Sequence, residues 1–157
     1  MTFPDHFSTV AQALHWFNRD VFYREVERVL VPGGLFAVWG YALATISPQI
    51  DDIVLPWYRD TLGPYWPPER AHVETHYRDI GFPYTPIEMP SLVMKISWTR
   101  QQFVDYLATW SAVKEYRLQT GLDPIVMMRD ALGRVWADHT AHDIRWPLTM
   151  LAGHRQR

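Results

Sequence analysis

At the start of the chain the period of the apolar positions changes twice. The run from Phe7 to Leu14, FSTVAQAL, is β-branched and apolar enough for a short buried strand. Asn18 then offers an N-cap, and NRDVFYREVERVL sets Val21, Phe22, Val26, Val29 and Leu30 on one stripe at helical spacing. Arg24, Glu25, Glu27 and Arg28 fall largely on the other face, as in an amphipathic helix. Pro32-Gly33-Gly34 stops that helix, because proline cannot continue it and glycine accepts the positive φ of a turn. LFAVWGY after it reads as a second buried strand. Both strands are apolar throughout rather than alternating, which suggests burial on two faces, and a helix between them implies a parallel, right-handed βαβ unit. The fold class is therefore α/β.

Beyond Tyr41 prolines punctuate the pattern. SPQIDDIVLPWYRDTL predicts a helix begun at Ser47, GPYWPP a turn, and the stretch from Glu69 to Tyr77 a polar helix, while Gly81 to Pro90 is irregular. SLVMKISW predicts a strand with Leu92, Met94 and Ile96 on one face. Thr99-Arg100-Gln101-Gln102 has the form of a capping box, opening a helix that carries Phe103, Tyr106, Leu107, Trp110, Val113 and Tyr116. Asp123-Pro124 is an N-cap followed by proline at the first helical position, for a helix running to about Trp136. HDIRWPLTMLAGH reads as a last strand whose Pro147 favours a sheet edge or a bulge. With 157 residues and no repeat, low-complexity tract or linker, nothing argues for a second domain.

The formal net charge of -2 leaves no basic footprint for nucleic acid or an anionic membrane. Cysteine is absent, which excludes disulfides, thiolate nucleophiles and thiolate zinc sites and fits a reducing, cytoplasmic setting. No apolar run reaches the length of a membrane span, and MTFPDHF lacks the regions of a signal peptide. Eight Trp and eight Tyr are a large aromatic load for this length, so some are expected to line a pocket or an interface.

TVAQALHWF, followed by an amphipathic helix ending in EVERVLVPGGLFAVWGY, resembles the fourth strand, following helix and fifth strand of class I S-adenosylmethionine-dependent methyltransferases. HYRDIGFPYTPIEMP and the capped WTRQQFVDYLATWSAVKEY point to the trans-aconitate-methyltransferase-like (methyltransferase type 11) branch, and the resemblance covers essentially the whole chain. It implies the C-terminal half of a Rossmann-like sheet: strand-helix-strand, a helical insertion, and a terminal antiparallel strand pair made by SLVMKISW and HDIRWPLTMLAG. The chain would then be one partial domain, 1–157, with 42–90 and 99–141 as the substrate-covering insertion and its connecting helices. S-adenosylmethionine is the cofactor so implied. No GxGxxG element follows a strand and opens a helix here, so the N-terminal cofactor-binding half is expected to be missing. The open strand edge such a cut would leave predicts a homo-oligomer or a covering partner chain.

Methyl transfer is an in-line displacement helped mainly by positioning, so it requires neither a metal nor a catalytic triad. Ligands of open α/β sheets sit beyond the carboxyl ends of the strands, which puts Ala11, Gln12, Ala13, His15 and Trp16 at one rim and Gly40 and Tyr41 at the next. By resemblance, Ala11, Gln12 and Ala13 face the methionine part of the cofactor. His15 and Trp16 border the methyl acceptor as the catalytic pair, with His15 a base or a carboxylate partner; the bland alternative is packing plus a satisfied imidazole. Tyr41, Trp57, Trp110 and Arg117 are the substrate-binding candidates. Arg100, Arg117 and Arg129 could each meet a carboxylate, although solvated arginines on helices are ordinary. Trp57, Trp66, Trp98, Trp110 and Trp136 could form an aromatic box, or simply core. His72 with His76, and His139 with His142, are close pairs, but HVETH is not HExxH and no metal site is expected. Two readings stay open: a methyltransferase acting on a small molecule, plausibly a carboxylate, that lacks its cofactor half; or a non-catalytic module that pairs through its open sheet edge.

Overall fold

A computed structural model describes residues 5–156. Four strands, β1 (Asp5–Ala11), β2 (Leu30–Tyr41), β3 (Val93–Thr99) and β4 (Ala141–His154), form a sheet whose hydrogen-bonded order is β1-β2-β4-β3. Six helices accompany them: α1 (Arg19–Val29), α2 (Pro48–Pro56), α3 (Arg70–Glu74), α4 (Arg100–Ala108), α5 (Ser111–Thr120) and α6 (Pro124–Gly133). The fold is mixed α/β. The chain divides into two compact units, one of residues 1–43, 69–93 and 147–157, the other of residues 44–68 and 94–146.

In the first unit β1 and β2 run parallel, joined by α1, and β4 pairs antiparallel with β2 from Leu35↔His154 to Tyr41↔Leu148. The Asn18 side chain accepts from the Val21 amide and starts α1. The helix ends at Val29, before Pro32, so β2 begins five residues earlier than LFAVWGY suggested. Pro32-Gly33-Gly34 is a bulge within it. The register jumps from Asp5↔Leu30 to Phe7↔Leu35, and Gly33 takes φ 79°, a value that glycine tolerates. Val21, expected on the apolar stripe, is exposed. The buried face is carried by Val26 and Leu30, and Tyr23 reaches across to donate to the Gly81 carbonyl at 2.6 Å. Around Phe36, which is fully buried, pack Val10, Leu14, Val26, Leu30, Val38, Val73 and Ile80.

In the second unit Ser47 and Pro48 open α2 as anticipated. Pro56 has no amide to continue the ladder, and the next residues, Trp57–Thr61, widen into a π turn. The Thr99 capping box forms: its hydroxyl accepts from the Gln102 amide while the Gln102 side chain accepts from the Thr99 amide. The single helix expected after it is two. The Thr109 hydroxyl turns back to the Tyr106 carbonyl at 2.7 Å, and Trp110 adopts extended backbone as the N-cap of α5. Gly121, at φ 72°, ends α5. Asp123 caps α6 through the Ile125 amide, and α6 ends at Gly133, within a turn of Trp136.

As the resemblance implied, β3 and β4 are neighbours at one end of the sheet. β4 is the inner of the two, between β2 and β3, so Pro147 is not on an edge strand. Pro147 sits one residue before the β2 pairing begins at Leu148, and so takes no ladder bond from β2. The edges are β3, where Val93, Met94 and Ile96 are exposed, and β1, whose outer side meets no strand among the described residues. No helix among these residues is long and apolar enough to cross a membrane.

Candidate functional site

The carboxyl ends of β1 and β2 converge in the first unit on one tightly fitted corner. β1 ends at Ala11, and Gln12 leaves it at φ 51°. The Gln12 amide then imitates a strand. Its Nε2 donates to the Tyr41 carbonyl at 2.9 Å and its Oε1 accepts from the Tyr41 amide at 2.8 Å, while its own backbone amide reaches the Trp39 carbonyl at 2.8 Å. A short 3-10 turn, Leu14–Trp16, follows, with His15 buried and Trp16 about half exposed at 55%. The His15 and Trp16 rings lie 4.8 Å apart.

The other wall comes from the segment Glu69 to Tyr77, expected to form a polar helix. α3 stops at Glu74, and His76 and Tyr77 take φ 55° and 58°. Together with Gln12, three non-glycine residues hold left-handed backbone at or beside the same corner. Such residues cost on the order of 1–3 kcal/mol each and persist only where their surroundings fix them, often at functional sites. Tyr77 is buried, and its hydroxyl lies 3.2 Å from His15 Nδ1. Burial pushes the Tyr77 phenol up to about 12, the Arg70 charge opposing, so it stays protonated. Burial likewise holds His15 below the ordinary histidine value, Arg70 and His72 adding to this and Glu69 working against it.

Gly40 is the hinge of the fit. A β-carbon there would stand 2.8 Å from Gln12 Oε1, 2.8 Å from the Tyr77 hydroxyl and 2.9 Å from Tyr77 Cε2. Gly40→Ala is therefore expected to cost about 1–3 kcal/mol, typical of overpacking, because both neighbours are held by other bonds. Urea unfolding would check this, and an alanine variant as stable as the parent would show that the corner yields.

Around this corner the remaining polar groups hold one another. His72 Nδ1 is 2.9 Å from Asp79 Oδ2, and Asp79 also accepts from the Thr75 hydroxyl at 2.6 Å. These hydrogen bonds, Thr75 first, keep the Asp79 carboxyl below its usual value. His76 Nδ1 meets the Thr149 hydroxyl at 2.8 Å. No group of three or more His, Asp or Glu side chains that could hold a metal occurs among the described residues.

The other candidates lie in the second unit. Trp57 is buried, its ring centroid 6.0 Å from that of Trp110, and Tyr58, Trp66 and Tyr106 complete an aromatic cluster around Trp110. The Trp57 indole Nε1 is buried without a hydrogen-bond partner. Trp98 joins through Tyr106, and Trp136 packs on Phe103 and His142. Arg117 forks onto Asp123, Nε and Nη2 at 3.0 and 2.9 Å from Oδ1, so its guanidinium bridges α5 to the cap of α6. Arg100 pairs with Asp138 and donates to the Trp136 carbonyl at 2.9 Å, while Arg129 is exposed. The rim residues Ala11, Gln12, Ala13, His15, Trp16 and Tyr41 thus share one unit, and Trp57, Trp110 and Arg117 share the other. Tyr77 is what sequence reasoning missed. Its only signal was the aromatic in HYRDIGF, since left-handed backbone at a non-glycine leaves no mark in composition.

No protein-family model matches the chain. A solved structure from Anaeromyxobacter dehalogenans, described provisionally as a type II methyltransferase, superimposes on 96% of this chain at a TM-score of 0.87 with 38% identity, over 64% of its own length. A protein of Dictyostelium discoideum, named provisionally as a methyltransferase, is 28% identical over 155 residues, which is 94% of this chain and 59% of that protein. The chain spans about three-fifths of the length of these two relatives.

Proposed function

We propose that this chain, whose sequence and α/β fold are similar to those of two proteins named as methyltransferases, is of the class I S-adenosylmethionine-dependent kind and supplies the acceptor side of an enzyme that methylates a small molecule, a carboxylate by preference. The observation that carries the reading is the corner where β1 and β2 end. It holds Gln12, His15, Trp16, Gly40 and Tyr41 at the place where open α/β sheets take their ligands.

The residues there suit the methionine end of the cofactor. Its sulfonium is a cation, and His15, which burial keeps uncharged, would not repel it. Trp16 presents an exposed indole face of the kind that attracts such cations. Ala11 and Ala13 carry no more than a methyl group, and Gln12 keeps the end of β1 clamped to β2 through Tyr41. When bound, the cofactor supplies an electrophilic methyl group. The part of these residues is to hold the acceptor in line with it, where positioning alone contributes most of the rate. The trans-aconitate-methyltransferase-like assignment and the carboxylate acceptor rest on the sequence resemblance. The chain's eight glycines include no cofactor loop, so these residues account for one wall of the site.

Isothermal titration of the folded chain with S-adenosylmethionine tests the reading. Saturable binding, weakened in Trp16→Ala by the roughly 0.5–2 kcal/mol of one cation–π contact, supports it. A folded chain that takes up no cofactor counts against it and favours a second reading, a non-catalytic module or homo-oligomer that pairs through β1. The observation behind that alternative is the outer side of β1, which no strand among the described residues pairs, with Phe7 56% exposed on the same strand. Its check is the solution mass of the purified chain.

A further inference from the structure

A phenol has one proton to place, and the surroundings of Tyr77 leave it one destination. Tyr77 is 2% exposed and His15 6%, so water barely reaches the hydrogen bond between them. Among the described contacts, His15 Nδ1 is the hydrogen-bond partner of the hydroxyl, at 3.2 Å. Gln12 Oε1 closes on the same side of Gly40, but among the described contacts it makes no hydrogen bond to the phenol and accepts from the Tyr41 amide. Were Nδ1 to carry a proton and donate to the phenol oxygen, the phenol O–H would be left buried without an acceptor, at a cost of about 1–3 kcal/mol. If the phenol donates, both groups are satisfied.

We propose that Tyr77 is a positioning residue that fixes His15 as the neutral tautomer with Nδ1 accepting and Nε2 bearing the proton, so that His15 meets a methyl acceptor as an N–H donor and not as a base. The imidazole is already held neutral by its burial. Among the described contacts His15 hydrogen-bonds through Nδ1 and not through Nε2. An N–H donor is matched by an oxygen with a free lone pair, such as that of a carboxylate or carbonyl group. An alcohol or ammonium that must lose a proton before it attacks would receive no help from this ring. The role toward an acceptor rests on the function proposed above; the tautomer does not.

Long-range proton–nitrogen correlation spectra of the nitrogen-15-labelled full chain read the tautomer directly, with the His15 signals identified by their loss in His15→Gln. At neutral pH the expected result is an unprotonated Nδ1 and a protonated Nε2 in the parent protein. In Tyr77→Phe, which keeps the ring and removes the donor, His15 should become a mixture of tautomers while the other six histidines keep their signals as a control on folding. A proton on Nδ1 of the parent, a doubly protonated ring, or a Tyr77→Phe spectrum unchanged at His15 would overturn the assignment. The parent measurement needs no variant to fold. It also needs no cofactor, so a chain that shows the tautomer yet binds no S-adenosylmethionine would retain the Tyr77 assignment and lose the proposed function.

Discussion

Phe36→Ala is expected to lower the stability of the first unit by about 3–5 kcal/mol, the usual loss for a phenylalanine cut back inside a core. Phe36 is fully buried at the centre of β2. Phe82 stacks on it at 5.7 Å and 11°, Phe22 and Tyr23 approach from α1 at 6.1 and 6.3 Å, and Tyr84 meets it edge-on at 6.1 Å. The hole left by the ring would be walled by four other aromatic side chains. Those on α1 are held by the helix, and Tyr23 is further tied by its bond to Gly81, so the walls have little freedom to close in. Incomplete collapse puts the loss toward the upper end of the range. Urea unfolding followed by amide exchange in β2 measures it, and a loss under about 1 kcal/mol would mean that this cluster rearranges freely.

Trp136→Ala should cost the second unit a similar amount, about 3–5 kcal/mol. Trp136 is 1% exposed beyond the end of α6, stacked on Phe103 at 5.8 Å with His142 edge-on at 4.9 Å. Its indole N–H donates to the Thr140 carbonyl at 2.7 Å and closes the turn that leads into β4. Alanine removes both the ring and that bond. Trp136→Phe separates them, because it keeps most of the packing and leaves only the Thr140 carbonyl without its donor, worth about 1–3 kcal/mol. Differential scanning calorimetry of the pair would check the division. A phenylalanine variant no better than alanine would assign the stability to the hydrogen bond and not to the ring.

The elements legible in the sequence were those determined by neighbours within a turn or two. Asn18 and Thr99 announced helix starts because a cap bonds an amide three residues on, and Asp123 because its side chain reaches the amide two residues on. The parallel pairing of β1 with β2 followed from two apolar strands around an amphipathic helix. The break at Trp110 was hidden because apolar residues kept their helical spacing across it, while a Thr109 hydroxyl and the packing of the Trp110 ring decided the backbone. Val21 misled in the opposite direction, an apolar residue in the right phase that no other element covers. For the site, the rim was readable as a place: strand ends in an α/β sheet are where ligands go. Its construction was not. The Gln12 clamp joins residues 29 apart in sequence and the Tyr77–His15 bond residues 62 apart, and no local pattern encodes either.

β4 also constrains the order in which the molecule can be made. Its residues 148–154 lie directly against β2, in the interior of the sheet, although every paired residue is more than a hundred positions from its partner. As the chain leaves the ribosome, β2 emerges long before this partner, so one flank of an apolar strand stays unsatisfied until β4 has been synthesised. Closing so long a loop is slow, and in the interval the unpaired flank is open to other chains. Yield of soluble protein should therefore depend on translation speed and chaperone supply more than the finished fold would suggest.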